Sequence, residues 1–388
     1  MSLRDLASLM VGSALLVACG PASDPGGGGG PDAGSDLPDG GGGAVDGGDS
    51  LDGGGPSGDG GSSTLGPALP PGTLLYVRAE TRDRDVLVAR TLATGAERVV
   101  TDLTGDGSSG WRIRGYSLSP DRRRIALASL YGPTAEDNAS GLATRRIWTL
   151  DTDGTDFRRL TPIFPNTSGG RSSYSIEISD PIWTGDGTAV LFDLGEYWYE
   201  GTMLSGGTAP WVVDASGSSL PSDFPVPLGC SISLAGRHPV TGEILLNHSV
   251  CVPGQGVRGL YLYPPGGASS PRRLVESSRA SGGIDVQLER VSWLADGSGF
   301  LFLGGVEASD WATSVLVYDM AGGTVSLLLP PPPGSQVYGA AISADASTLV
   351  YCLGDAERRT DLHLVDLAAS PPTDTAITHD GQSCYPSF

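Results

Sequence analysis

The segment Tyr116-Ser117-Leu118-Ser119-Pro120-Asp121, running on to Ile125-Ala126-Leu127-Ala128, decides the fold. A short apolar strand enters a small polar turn, and a second apolar strand leaves it. The same sentence recurs at Pro181-Ile182-Trp183-Thr184-Gly185-Asp186-Gly187 before Ala189–Phe192, and at Val291-Ser292-Trp293-Leu294-Ala295-Asp296-Gly297 before Phe300–Phe302. It returns at Ala341–Asp345 before Leu349–Tyr351, and in degenerate form at His238–Gly242 before Ile244–Leu246. Asp-Gly between strands is a hairpin signal, because Gly accepts the positive φ of a tight turn.

A second hairpin follows each copy. The clearest turns Ile147-Trp148-Thr149-Leu150-Asp151-Thr152-Asp153-Gly154 into Phe157–Thr161. Weaker ones join Gly259–Tyr263 to Arg273–Val275, Val315–Asp319 to Val325–Leu327, and Leu362–Asp366 to Ala376–Thr378. Two hairpins make four strands, and a unit of roughly 46 to 65 residues suits a propeller blade. Leu74–Val77, Val86–Ala89 and Arg98–Thr101 supply strands two to four of a blade without a first strand, while Ser383–Phe388 reads as a first strand with nothing after it. The expectation over 71–388 is an all-β, six-bladed β-propeller. Its C-terminal strand pairs into the N-terminal blade and removes two open edges.

The N-terminal part reads as an address and a spacer. Residues 1–18 carry Arg4 and Asp5, then an apolar run from Leu9 to Ala18 that is too short to span a bilayer and has the size of a signal-peptide core. Leu16-Val17-Ala18-Cys19 resembles the bacterial lipobox, which implies that Cys19 is acylated and becomes the mature N-terminus. Gly20 after it points to the outer membrane. Residues 19–70 form the linker; from 20 to 70 it holds 20 glycines and 8 aspartates, with no Arg, Lys or aromatic residue. Such a composition is expected to stay disordered. As a coil it reaches about 40 Å.

The formal charge is −20, and all 24 basic residues are arginine. That balance argues against nucleic acid or anionic headgroups as main partners, and the absence of Lys removes a Walker motif. Cys230, Cys251, Cys352 and Cys384 form an even set in an exported chain, which points to disulfides. Cys230–Cys251 and Cys352–Cys384 is the expected pairing, the second bracing the closure; buried free thiols are the alternative. No Cys-x-x-Cys spacing or tight Cys/His grouping suggests zinc. His238, His248, His363 and His379 are scattered, so no metal, cofactor or catalytic residue is expected. Asp151–Asp156 superficially resembles a calcium loop but lacks the downstream Glu. No Gly-x-Ser-x-Gly marks an attached hydrolase.

Ser119–Asp121 and Leu150–Thr161 resemble the WD-like repeat of the TolB propeller family. The resemblance implies a six-bladed domain making protein–protein contacts in the Gram-negative envelope. The family's N-terminal α/β domain has no counterpart; the linker stands in its place. Long connections are expected on one face, at 103–115, 130–144, 162–178, 215–230, 248–258, 276–289 and 304–313. They carry Trp111, Arg112, Arg114, Tyr131, Tyr174 and Trp311, residue types enriched at binding hot spots. The resulting expectation is a monomeric, lipid-anchored cell-envelope propeller on the periplasmic or surface side. It would bind a protein or glycan rather than catalyse. The alternative, a propeller-type polysaccharide lyase or hydrolase, needs clustered acid/base or metal ligands at the central channel.

Overall fold

Leu74-Leu75-Tyr76-Val77 and Val86-Leu87-Val88-Ala89 place apolar residues at consecutive positions. Successive side chains on a strand face opposite ways, so such runs need cover on both sides. The computed structural model provides it with six antiparallel sheets set as blades in a ring. It describes residues 65–388 apart from 82–83, 105–112, 131–144, 163–174, 201–202, 227–229, 252–255, 268–270, 279–282, 288–289, 310–311 and 356–358. No α-helix occurs among the described residues.

From the channel outward, blade 1 is Ser383–Ser387, Thr73–Thr81, Arg84–Thr91 and Glu97–Thr104. Blade 2 is Ile113–Leu118, Arg124–Ser129, Arg146–Asp151 and Arg158–Arg159, and blade 3 is Ser175–Trp183, Ala189–Glu200, Met203–Asp214 and Ser222–Asp223. Blade 4 is Cys230–Arg237, Ile244–Cys251, Gly259–Tyr263 and Arg272–Glu276. Blade 5 has an inner edge in two pieces, Asp285–Val286 and Ser292–Trp293, followed by Gly299–Gly305, Ser314–Asp319 and Thr324–Leu329. Blade 6 is Gln336–Ile342, Thr348–Gly354, Thr360–Asp366 and Thr373–Ala376.

Each apolar cluster lies between two neighbouring blades. Leu74 and Tyr76 pack with Val350, Cys352 and Leu362 of blade 6, while Leu75 and Val77 pack with Ile113, Ile125 and Leu127 of blade 2. On blade 6, Leu349 and Tyr351 turn instead to Leu301 and Leu303 of blade 5. Every such buried side chain contributes about 1.5–3 kcal/mol. The period of two thus joins each blade to both neighbours.

Polar bonds lace the same seams. Ile113 N donates to Asp85 Oδ2 at 3.1 Å, Trp183 Nε1 to Ser117 O at 3.2 Å, and Leu234 N to Asp193 Oδ1 at 2.8 Å. Val291 N donates to Ala235 O at 2.9 Å, and Ile342 N to Ser292 Oγ at 3.0 Å. The last seam is covalent: Cys352 of blade 6 is bonded to Cys384 of blade 1, with S–S 2.04 Å. Leu75 pairs with Ser387, Val77 with Cys384 and Arg78 with Ser383, so the C-terminal strand closes the ring.

Side chains fix the first turn of the blades. Asp121 Oδ1 accepts Ser119 Oγ at 2.6 Å, Asp186 Oδ1 accepts Thr184 Oγ1 at 2.7 Å, and Asp345 Oδ1 accepts Ser343 Oγ at 2.6 Å. In the degenerate copy, His238 Nδ1 takes the role and accepts the amides of Val240 and Thr241, both at 3.2 Å.

Residues 65–70 lie across two turns of blade 2. Gly66 N donates to Asp151 Oδ2 at 2.8 Å, Thr152 Oγ1 to Pro67 O at 2.6 Å, and Leu69 N to Arg122 O at 2.8 Å. Leu69 is buried in the cluster between blades 1 and 2.

The expected long connections need one correction. Residues 215–230 are not a single loop: the outer strand Ser222–Asp223 interrupts them, and 215–221 is the third-to-fourth turn of blade 3, on the short-turn face. The spans 162–178 and 276–289 are likewise shortened, because strands begin at Ser175 and Asp285.

Candidate functional site: the central channel

The innermost strands of all six blades enclose one cavity of ≈ 280 Å³. Glycine lets neighbouring inner strands approach closely around it. A Cβ on Gly115 would lie 2.9 Å from Asp180 Oδ1, and one on Gly236 only 2.6 Å from Val291 Cγ2.

Two irregularities bring charge into this space. In blade 3 the register shifts between Ser179 and Ile182, and Asp180 takes φ 52°. A left-handed non-glycine residue costs about 1–3 kcal/mol and persists only where its surroundings enforce it. In blade 5, Asp285–Val286 and Ser292–Trp293 pair with the same strand as two separate pieces. Arg290, ahead of the second piece, reaches across the channel. Its Nε donates to Asp180 Oδ1 at 3.1 Å, its Nη2 to Pro181 O at 2.9 Å, and its Nη1 to Tyr116 O. One guanidinium therefore ties blade 5 to blades 2 and 3. Behind Asp180, the Asp193 carboxylate is buried against Leu234 N; burial first, and the Asp180 charge second, hold its carboxyl well above the usual range.

Other polar groups in the walls have no protein partner. The half-buried Arg237 guanidinium makes no hydrogen bond or ion pair among the described residues, and its burial pulls its pKa down against the opposing field of Asp186. Trp293 Nε1 and Ser117 Oγ are buried without a hydrogen bond. Trp293 stands 4.7 Å from the His238 ring and 4.7 Å from the Phe300 ring, so its indole is held in place. Trp183 and Tyr385 add aromatic wall. A guanidinium, an indole N–H and a hydroxyl suit a ligand rich in acceptors or carrying negative charge. Among the described side chains lining the channel, Asp180 is the one carboxylate and there is no histidine.

Of the residues expected to bind, Arg114 is the second residue of the inner strand of blade 2, lines this channel and is exposed. Trp111, Arg112, Tyr131, Tyr174 and Trp311 lie outside the described residues. Arg237, Arg290, Asp180 and Trp293 were not anticipated. A signal did exist: Arg114, Asp180 and Arg290 each stand just ahead of the recurrent inner-strand motif, at Tyr116-Ser117-Leu118, Pro181-Ile182-Trp183 and Val291-Ser292-Trp293.

No family model matches the chain, and no curated protein matches it in sequence. Among solved structures, TolB from Acinetobacter baumannii superposes with TM-score 0.56 at 17% identity, over 81% of this chain and 66% of that one, so the chain spans just under two thirds of that protein's length. A putative TolB from Agrobacterium tumefaciens gives TM-score 0.47 at 13% identity, over 81% and 96%. An oligogalacturonate lyase in complex with manganese gives 0.46 at 13%, over 77% and 74%. Six blades, a closing C-terminal strand and the first of these superpositions together make this fold a TolB-type β-propeller.

Proposed function

We propose that the chain is a lipid-anchored binding module of the bacterial cell envelope, held through Cys19 and receiving an anionic, acceptor-rich partner at its central channel. The observation that carries this reading is the half-buried Arg237 guanidinium, which has no hydrogen bond or ion pair among the described residues, together with an indole N–H that has no hydrogen bond among them. Keeping the buried Trp293 Nε1 and Ser117 Oγ unpaired costs about 1–3 kcal/mol each, a cost that a ligand taking up those bonds removes. Catalysis is the weaker reading. A lyase or hydrolase needs a pair of acid/base groups or a metal, and Asp180, the one carboxylate side chain among the described wall residues, is already bound to Arg290.

The test is titration of an acidic peptide, a uronate oligosaccharide and neutral controls of each, followed by Trp fluorescence. Saturable binding of one acidic probe that falls about tenfold in Arg237→Ala supports the reading, and its chemical type tells protein from glycan. Equal binding of neutral and acidic probes, or none, refutes it. The anchor is tested separately: Cys19→Ala is expected to move the protein from membrane to soluble fraction, and a variant wholly retained in the membrane would refute it.

A further inference from the structure

We propose that blade 4 holds a redox-gated site for a thiophilic metal ion, formed by Cys230, Cys251 and His248 once the Cys230–Cys251 disulfide is reduced. Cys230 lies directly opposite Cys251 in the first hairpin of the blade, with Cα–Cα 4.0 Å. In a regular strand His248, three residues from Cys251, would face the other way. A bulge at Ser249 prevents this: Ser231 pairs with Val250 and the next residue, Ile232, pairs with His248. The skipped position returns His248 to the cysteine face. The donor atoms of all three residues lie within 4.8 Å of one another.

The imidazole is already oriented. His248 Nε2 is hydrogen-bonded to Tyr263 Oη at 2.9 Å, and its ring stacks on Tyr261 with centroids 4.2 Å apart. Nδ1 has no partner among the described residues. A second contact that fixes one ring nitrogen is the usual support of a histidine ligand. Gly256 packs against the sulfurs: a Cβ there would lie 2.5 Å from Cys230 Sγ and 3.3 Å from Cys251 Sγ, so this close approach of the backbone requires glycine.

Oxidised, the site is closed, since the two sulfurs are bonded to each other and neither is a thiolate. A dithiol reductant would transfer two electrons to the S–S bond and leave as its own disulfide, while the two cysteine sulfurs each take a proton. The metal then displaces those two protons and accepts two thiolates and one neutral imidazole. Such a donor set selects Zn²⁺ or Cu⁺ over Ca²⁺ or Mg²⁺. Reduction is selective by access. Cys230 and Cys251 are half-buried, whereas Cys352 and Cys384 are 0% and 2% exposed.

The experiment uses the full chain, treated with a phosphine reductant until two thiols per chain titrate beyond any contributed by Cys19, and then Co²⁺. A thiolate-to-Co²⁺ charge-transfer band saturating at one ion per chain is expected. The band should be displaced by Zn²⁺ and absent before reduction. His248→Ala should weaken binding by about tenfold or more, since even an outer-shell partner is worth that factor. Cys230→Ser with Cys251→Ser should abolish the band. The proposal is overturned if the reduced chain keeps its native circular dichroism but gives no band, or if His248→Ala binds as tightly. It is also overturned if reduction itself removes the native spectrum.

Discussion

Ring closure makes the sharpest demand on the fold. The disulfide Cys352–Cys384 bridges a sequence separation of 32. Loop-closure entropy for that separation gives about 3.7 kcal/mol from the cross-link. Replacing both cysteines by alanine keeps the closing strand and removes that term. Unfolding entropy of about 2.1 cal/mol/K per residue over the propeller then turns the loss into a fall of about 5 °C in Tm. Truncation after Gln382 removes more. The ladder beside Leu75, Val77 and Arg78 goes, as does the acceptor for the Tyr116 hydroxyl, which donates to Tyr385 O at 2.6 Å. At about 1 kcal/mol per bond, the truncation should cost about 7 kcal/mol in all, comparable with the whole stability of an ordinary domain, about 5–15 kcal/mol. It also bares the apolar cluster of Leu74, Tyr76, Val350 and Leu362. Urea unfolding of the three proteins under oxidising conditions decides the matter. A truncated chain with the wild-type midpoint would refute closure as a source of stability, and a double alanine variant as unstable as the truncation would show that the cross-link, not the strand, seals the ring.

Three further outcomes follow from local geometry. The carboxyl of Asp186 is held down to about 2 by the Thr184 hydroxyl first and the Thr188 amide next, and those of Asp296 and Asp345 are lowered by their own turn hydroxyls. A depressed folded pKa stabilises above the unfolded value of 3.8, so stability should fall between pH 3.8 and about 2, and Asp186→Asn should remove part of that fall in acid-unfolding curves. Asp193, whose carboxyl is raised, titrates at higher pH with the opposite sign, so the comparison is drawn below pH 3.8. Gly236→Ala sets a Cβ 2.6 Å from Val291 Cγ2 and should cost about 1–3 kcal/mol by overpacking, read as a lower urea midpoint. Ala346 holds φ 57° in a turn where blades 3 and 5 place Gly187 and Gly297, so Ala346→Gly should raise stability by about 0.5–1 kcal/mol; a loss would show that its methyl packing in the blade 5–6 cluster outweighs the strain.

Blade count and closure were legible because they rest on repetition. The polar turn before Ile125, Ala189, Phe300 and Leu349 recurs with its aspartate, and the incomplete first and last segments complement each other. Blade 3 was harder to read. Its middle strands run 12 residues each and its outer strand is only Ser222–Asp223, so the last hairpin left too short an apolar signature and 215–230 read as one loop. The turn at His238 looked degenerate because an imidazole nitrogen does there what a carboxylate does elsewhere.

The chemistry was hidden for a single physical reason. A pattern of period two tells which face a residue takes only while the ladder is regular. Asp180 enters the channel through a register shift, Arg290 through a break in the inner edge of blade 5, and His248 reaches the cysteines through a bulge. Each irregularity moves a polar side chain from the face its parity assigns to one where it meets other polar groups. Gly115, lacking a Cβ, leaves room for both Asp180 and Arg290, and Gly256 lies against the two cysteine sulfurs. In this propeller the regular strands build the wall, and the interruptions aim charge and donors into it. A reading that scores interrupted strands as weak evidence for a blade therefore discounts the positions where ligand or metal would be held.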